Sequence, residues 1–225
     1  MKIYPEKLQS ALQKGLAPVY LLAGDEILLR EEAADAIRAA ARSAGYTERE
    51  VHFAETGFDW NQLRQTSASL SLFAEKRLIE VRLPTGKPGT QGAKALQDYT
   101  ANLPEDVILL VSSAKPERTP AWVKALESAG VHVPCWPLPP ERLPAWIESR
   151  LRSRDLMPDA QAVQLIAQRV EGNLLAAAQE IDKLALLLPP KEPLGAQAVA
   201  TAVTDSARFD VFKCVDAALI GQARR

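Results

Sequence analysis

The stretch "APVYLLAGDEILLREEAADAIRAAARSAGY", residues 17–46, decides the fold class of this chain. Its first part is a compact apolar run that ends in Gly-Asp-Glu at positions 24–26. Such a run is typical of a buried strand followed by a tight turn. The stretch therefore predicts a junction between a strand and a helix.

The residues after this turn have the spacing of a long helix. Ile27, Ala34, Ile37 and Ala41 recur on one helical face, acids come early, arginines come late, and Gly45 marks the end. This arrangement suits both an amphipathic helix and its dipole. We therefore expect all four apolar residues to face a core.

Further apolar runs alternate with helical patterns up to about residue 138. Strands are predicted at 49–55, 76–84, 105–113 and 130–137, and a helix capped by Asp59 lies between the first two of them. Short apolar strands that alternate with helices are typical of a mostly parallel sheet covered on both faces. Residues 1–138 are thus predicted to form an α/β domain, with "PTGKPGTQG" at 84–92 as its flexible insertion.

The character of the chain changes at "CWPLPPERLP", residues 135–144, where four prolines mark a domain boundary. The next part is predicted to be a small all-helical domain, residues 139–206, with Asp159 and Asn173 as helix N-caps. Residues 207–225 begin another amphipathic helix.

Charge and cysteine content exclude several classes of protein. There are 27 basic and 28 acidic side chains, for a formal charge of -1, so the surface as a whole is not built to bind nucleic acid. Cys135 and Cys214 are the only cysteines and have no ligand spacing, which predicts neither a disulfide nor a metal site. No export signal or membrane span is indicated, and a cytoplasmic protein is expected.

Motifs for nucleotide hydrolysis and for nucleophilic catalysis fail at the positions where they would stand. Gly24 is followed by acids rather than by the glycine and lysine of a phosphate-binding loop. The strand at 105–113 ends in Val-Ser-Ser instead of paired magnesium-binding acids. His52 and His132 lie inside predicted strands without a nucleophile nearby, which favours structural roles. No catalytic residue and no cofactor are therefore predicted.

Two sets of side chains leave alternatives open. The tryptophans near the domain boundary are predicted to be core residues, although an exposed one could serve a partner; they are Trp122, Trp136 and Trp146. Basic side chains in and near the loops after two strands fit a solvated face as well as a nucleic-acid backbone; they are Lys87, Lys94, Lys115, Arg118 and Lys124.

The segment "SASLSLFAEKRLIEVRLP", residues 67–84, begins like a polar loop and ends like a buried strand. Leu70, Leu72 and Phe73 follow a helix whose apolar positions, Trp60 and Leu63, are spaced for the core. The pattern alone favours core positions for these three residues over a hydrophobic tip held out for a partner.

Three stretches together resemble the delta subunit of the bacterial DNA polymerase III clamp loader. They are "YLLAGDEILLREEAADAIR", "SLSLFAEKRLIEVRLPTGKPG" and "VEGNLLAAAQEIDKLALL". The resemblance implies an α/β domain of the AAA+ type, a small helical lid, and a helical collar domain of which residues 207–225 are the truncated start. It also implies that this fold has been kept without its ATPase, since Leu175 stands where related ATPase subunits have a nucleotide-sensing arginine.

The same resemblance implies a binding site and its partners. Leu70, Ser71, Leu72 and Phe73 match the tip that binds the beta sliding clamp, with Leu72 and Phe73 as the apolar pair. Ala68 stands where some members have a glutamine, so we expect no glutamine hydrogen bond there. The other implied partners are the delta prime and gamma/tau loader subunits, through the missing collar, and primed DNA in the assembled loader.

The resemblance implies the opening of the clamp during DNA replication rather than chemistry on a substrate. A polymerase holoenzyme transfers nucleotides, but no catalytic site is expected in this subunit. Two alternatives stay open on the residues alone: a nucleotide-binding AAA+ ATPase subunit, and a stand-alone DNA-binding module.

Overall fold

The computed structural model describes residues 1–63 and 76–202, and these form two compact units that meet in sequence at Pro137 and Leu138. The elements of the first unit are α1 (Pro5–Leu12), β1 (Val19–Ala23), α2 (Ile27–Ser43), β2 (Tyr46–Phe53), β3 (Lys76–Leu83), α3 (Gly89–Ala101), β4 (Val107–Ser113), α4 (Ala121–Ala129) and β5 (Val131–Pro134). Residues 61–63 are also helical. Among the described helices, none is long and apolar enough to cross a membrane.

The first unit is built on a five-stranded parallel sheet in the order β2-β3-β4-β1-β5. Every residue of β1 and β4 is buried, since helices cover both faces of the sheet. Side chains at alternate positions enter two separate cores. Leu21 packs with Leu96 and Trp122 on the side of α3 and α4, and Leu22 packs with Leu8 and Ile37 on the side of α1 and α2. The α/β class and the two covered faces agree with the sequence prediction.

The second unit is a small helical assembly that begins at Leu138. After a 3-10 turn at Pro140–Arg142 it contains α5 (Leu143–Ser153), β6 (Met157–Pro158), α6 (Ala160–Val170), α7 (Leu174–Leu187), β7 (Pro193–Leu194) and α8 (Ala196–Ala202). The side chains of Asp159 and Asn173 accept hydrogen bonds from Ala162 and Ala176 and cap their helices, as predicted. The all-helical prediction missed the two-residue parallel pair of β6 and β7.

The predicted division into three domains, 1–138, 139–206 and 207–225, stays a prediction. Residues 207–225, with Cys214, lie outside the described residues.

Two local predictions were wrong, one about the exposure of Ile27 and one about the insertion at 84–92. Ile27, the first residue of α2 after the N-cap Glu26, is exposed, and its neighbour Leu28 is buried instead. The predicted flexible insertion at 84–92 is a short turn, because α3 already begins at Gly89.

The core prediction for the three tryptophans near residue 137 holds only for Trp122. Trp136 and Trp146 are half-buried. The ammonium of Lys115 lies 5.4 Å from the Trp136 ring, and the guanidinium of Arg150 lies 5.1 Å from the Trp146 ring. These two rings therefore contact cationic side chains instead of entering a core.

Gly24 follows the end of β1 and lies so close to the backbone after β5 that no side chain fits at this position. A Cβ atom at this position would lie 1.9 Å from the carbonyl oxygen of Cys135, and the backbone φ is +154°. The amide of Cys135 donates to the Ala23 carbonyl at 2.8 Å. Only glycine satisfies both the backbone angle and the close approach.

We predict that Gly24→Ala lowers the free energy of unfolding by more than about 4 kcal/mol, or prevents folding, because steric conflict with backbone adds to strain. Gly15→Ala is the matched control. Gly15 has a φ of +149° and nothing within 4 Å of an added Cβ, so strain alone should cost about 1–2 kcal/mol. Urea denaturation of both variants measures the difference, and equal losses would contradict the close approach.

Candidate functional site

The β1–α2 loop, residues 24–26, lies where a phosphate-binding loop would follow the first strand. Its backbone amides donate to the protein itself: Gly24 to the Ser113 carbonyl at 3.1 Å and Glu26 to the Cys135 carbonyl at 3.0 Å. The guanidinium of Arg30 donates to the Gly24 carbonyl at 2.8 Å. A phosphate-binding loop instead presents its amides to the ligand.

Negative charge at the β1–α2 loop also disfavours a phosphate ligand. The carboxylate of Asp25 is exposed and accepts a hydrogen bond from the Lys115 amide at 3.0 Å, and Glu26 is buried at the helix N-terminus. Two carboxylates beside the loop would repel the phosphates of a nucleotide. The local geometry and charge are therefore poorly suited to phosphate.

The end of β4 carries two serines where paired acids would bind magnesium. Ser113 is buried, and its hydroxyl donates to the Ala114 carbonyl at 2.7 Å. Over residues 1–63 and 76–202, no group of three or more His, Cys, Asp or Glu side chains is placed to bind a metal ion. Burial raises the pKa of the Cys135 thiol to about 12, so this thiol is protonated at neutral pH and a poor nucleophile.

Both histidines lie within strands, as predicted. His52 on β2 is buried, with its ring centroid 5.7 Å from that of Phe58 in an edge-on contact. His132 on β5 is buried beside the carboxylate of Glu127. Burial lowers the pKa of His132, although Glu127 opposes that shift. These contacts are those of packed structural side chains.

The predicted clamp-binding residues belong to the β2–β3 crossover, residues 54–75. Leu70, Ser71, Leu72 and Phe73, together with Ala68, lie outside the described residues. The described part of the crossover runs to Leu63, which is fully buried, and the chain is described again from Lys76, the first residue of β3. The described residues thus end at a buried side chain before the predicted site and resume after it at the exposed first residue of β3.

The first turn of this crossover is fixed by an aromatic cluster and a cap. Phe58 and Trp60 meet edge-on with ring centroids 5.1 Å apart. The carboxylate of Asp59 accepts a hydrogen bond from the Asn61 amide at 3.0 Å, in the capping role predicted for it. The cluster places the start of the helical segment against the sheet.

A buried carboxylate that the sequence analysis did not single out joins the elements on both sides of the crossover. Glu80 on β3 is 1% exposed and binds three arginines. Its oxygens lie 3.2 Å from Nη1 of Arg38 on α2, 2.7 Å from Nη2 of Arg49 on β2, and 2.8 Å from Nε of Arg82 on β3. An acid in the middle of the apolar run "KRLIEVRL" was the signal that could have revealed it.

The remaining predicted positions lie apart from these clusters. Leu175, at the place of the nucleotide-sensing arginine, is exposed on α7 of the second unit. Lys87 pairs with Glu117 at 2.6 Å. A contact of the basic side chains near these loops with nucleic acid stays a prediction.

Residues 20–136 match the protein family described as DNA polymerase III, delta subunit. The chain belongs to this family. Over its whole length it is 34% identical to DNA polymerase III subunit delta of Escherichia coli and 33% identical to that of Haemophilus influenzae. It spans 66% of the length of each of these delta subunits.

Solved structures support the fold of this delta-family chain. It matches the DNA clamp loader delta protein of Bacillus subtilis with a TM-score of 0.69 at 18% identity, over 98% of this chain and 73% of that one. It matches RuvB of Thermotoga maritima, a Holliday junction branch migration motor, with a TM-score of 0.52 at 14% identity, over 94% of this chain and 74% of that one. The AAA+ type architecture with a helical second unit is thereby confirmed.

We predict that Glu80→Gln lowers the free energy of unfolding at pH 7 by about 3 kcal/mol, because it removes the charge that the three arginines share in a buried site. Burial by itself raises the pKa of Glu80, but the hydrogen bonds from Arg49 and Arg82 and the charge of Arg38 outweigh it and lower the pKa. A lowered pKa in the folded state gives stability that is present above the unfolded pKa of about 4.3 and is lost as the pH falls through the folded value.

The difference between wild type and Glu80→Gln should therefore shrink below about pH 4. Urea denaturation at several pH values measures it. Glu148→Gln, in an exposed pair with Arg152, is the control and should change stability by less than about 0.5 kcal/mol. A difference at Glu80 that did not depend on pH would contradict the ionic role.

Proposed function

We propose that this chain binds the sliding clamp of its own replication machinery and opens the ring, as the delta subunit of a clamp loader, without hydrolysing ATP itself. Membership of the delta family supports the role in the loader. The main support for the proposed lack of ATPase activity is the β1–α2 loop, because its Gly24 and Glu26 amides already donate hydrogen bonds to the protein. Ser112 and Ser113 in place of magnesium-binding acids point the same way.

The clamp contact is assigned to Leu70, Ser71, Leu72 and Phe73, with Leu72 and Phe73 as anchors. The burial of two such side chains contributes roughly 1.5–3 kcal/mol each, which suits the centre of a modest interface. Ala68 supplies no side-chain hydrogen bond, so the apolar pair carries more of the affinity. The packed residues Trp60 and Leu63 support this assignment, since they hold the start of the same crossover in the core.

Opening of the ring follows from a difference in affinity. A protein that binds the open clamp more tightly than the closed clamp shifts the ring toward the open form by that difference and no more. No covalent bond needs to form or break in this chain. ATP acts on the process through the other subunits of the loader.

The remaining partners follow from family membership alone. The delta prime and gamma/tau subunits would assemble through a collar domain, whose start is predicted at 207–225. Primed DNA would be met within the assembled loader, in the cytoplasm. On this proposal the described residues form the lid and the part of the α/β unit from which the clamp-binding crossover extends.

We predict that Leu72→Ala combined with Phe73→Ala weakens binding to the sliding clamp of the same organism by at least about 2 kcal/mol, because both anchors of the interface are removed. Surface plasmon resonance with immobilised clamp measures the affinity. Circular dichroism shows whether the variant is folded.

The matched control removes an equally apolar pair from the second unit. Leu186 and Leu187 are exposed on α7, so Leu186→Ala combined with Leu187→Ala should leave clamp affinity unchanged. Unchanged affinity in the folded Leu72 and Phe73 variant would reject the assigned site.

We predict no saturable binding of magnesium ATP up to about 1 mM in isothermal titration calorimetry, a limit that corresponds to weak affinity. Asp25→Asn separates charge from geometry, because it removes a carboxylate and keeps the acceptor for the Lys115 amide. It should also fail to bind, since the Gly24 and Glu26 amides remain engaged. Saturable ATP binding by the wild-type chain would favour the alternative of an active AAA+ ATPase subunit.

A further inference from the structure

Trp60 fits against Gly92 on α3 at a distance that leaves no room for a methyl group. A Cβ atom on Gly92 would lie 2.4 Å from both Cε2 and Cζ2 of the Trp60 indole. Real Cβ atoms do not come so close to a neighbouring ring, so an alanine here would force the ring or the helix to move. The position of the indole and the position of α3 therefore depend on each other.

Gly92 is not required by the backbone. It lies within the first turns of α3, and no left-handed φ is found at this residue. A glycine in a helix costs about 1 kcal/mol relative to alanine. The contact with Trp60 accounts for a residue that the helix alone disfavours.

Further contacts beside the Trp60–Gly92 contact hold the start of the crossover in place. Phe58 packs edge-on against Trp60 and also against His52 on β2, and Trp60 and Leu63 are buried in the core that includes Leu96 of α3. The rings of Phe58 and Trp60 therefore pack between β2 and α3 and fix the first helical turn of the crossover.

We propose that Trp60 and Gly92 are positioning residues for clamp binding: their fit sets the direction in which the crossover leaves the core and so places Leu72 and Phe73 for the clamp. This inference rests on the proposed function. The other end of the crossover meets β3 at Lys76. The backbone of β3 is fixed there, because this strand pairs with β2 on one side and with β4 on the other. Binding residues on a segment whose two ends are fixed in the fold lose less conformational entropy on binding than residues on a segment with a free end.

The test is the affinity of the chain for the sliding clamp of the same organism. Gly92→Ala should weaken it by about tenfold, the size of a typical coupling between residues in contact, while the variant stays folded because alanine favours the helix. Trp60→Leu should weaken it to a similar extent.

A double-mutant cycle separates this mechanism from a general loss of stability. When the indole is absent, the methyl group added at position 92 no longer meets it, so Gly92→Ala combined with Trp60→Leu should bind no more weakly than Trp60→Leu alone. Trp122→Leu is the matched control, since Trp122 is buried in the same core and lies on α4. It should lower thermal stability as Trp60→Leu does and leave clamp affinity unchanged.

The variant with alanine at both Leu72 and Phe73 is titrated in the same experiment to distinguish the two hypotheses. If it binds like wild type, the proposed site is wrong. If it loses affinity while folded Gly92→Ala binds like wild type, or while the effects of Gly92→Ala and Trp60→Leu simply add, the positioning role is overturned alone. Should Gly92→Ala fail to fold, equal clamp affinities of Trp60→Leu and Trp122→Leu would overturn it.

Discussion

The first unit depends on the contact between the end of β1 and the end of β5 at Gly24. The Cys135 amide donates to Ala23, and the Cys135 carbonyl accepts from Glu26, so the two strands are joined on both sides of the glycine. On the other side of β1, the Gly24 amide donates to Ser113 at the end of β4. Three strand ends are thus joined through one residue that cannot carry a side chain. The same hydrogen bonds that hold the sheet together occupy the amides that a nucleotide would need.

Electrostatics adds a second constraint at the opposite edge of the sheet. β2 is an edge strand over the described residues and pairs only with β3. Glu80 reinforces this pair, because its carboxylate binds Arg49 across the strands and Arg38 on the helix above. It occupies the face that Leu78 shares with the α1 and α2 core, where an unpaired carboxylate would be costly. Because the three arginines pair with this carboxylate, Glu80 instead stabilises the packing of α2, β2 and β3.

The order of the elements could be predicted from the sequence, but their contacts could not. Period and turn signals located the strands and the caps at Asp159 and Asn173, since these depend on neighbours in the chain. The exposure of Ile27 was missed because helical spacing places it on the face of Ala34 but does not show how far along the helix the core extends. The order of the strands, the arginine cluster around Glu80 and the fit of Trp60 against Gly92 depend on residues far apart in sequence. Pattern alone favoured the core for Leu72 and Phe73, and only the family resemblance indicated a binding tip.

The two constraints lie at different places in the sheet, and this separation has a physical consequence. Gly24 lies at the end of β1, which with β4 is central to the sheet; every side chain of these two strands is buried, so any change meets packed atoms on both faces. The β2–β3 crossover leaves from the edge, where an insertion between two strands disturbs no central pairing. A β1–α2 loop whose amides donate to neighbouring strands keeps that part of the sheet rigid by direct hydrogen bonds. Trp60 and Leu63 couple the described start of the crossover to this rigid part, because both side chains are buried in the core that includes β1 and β4.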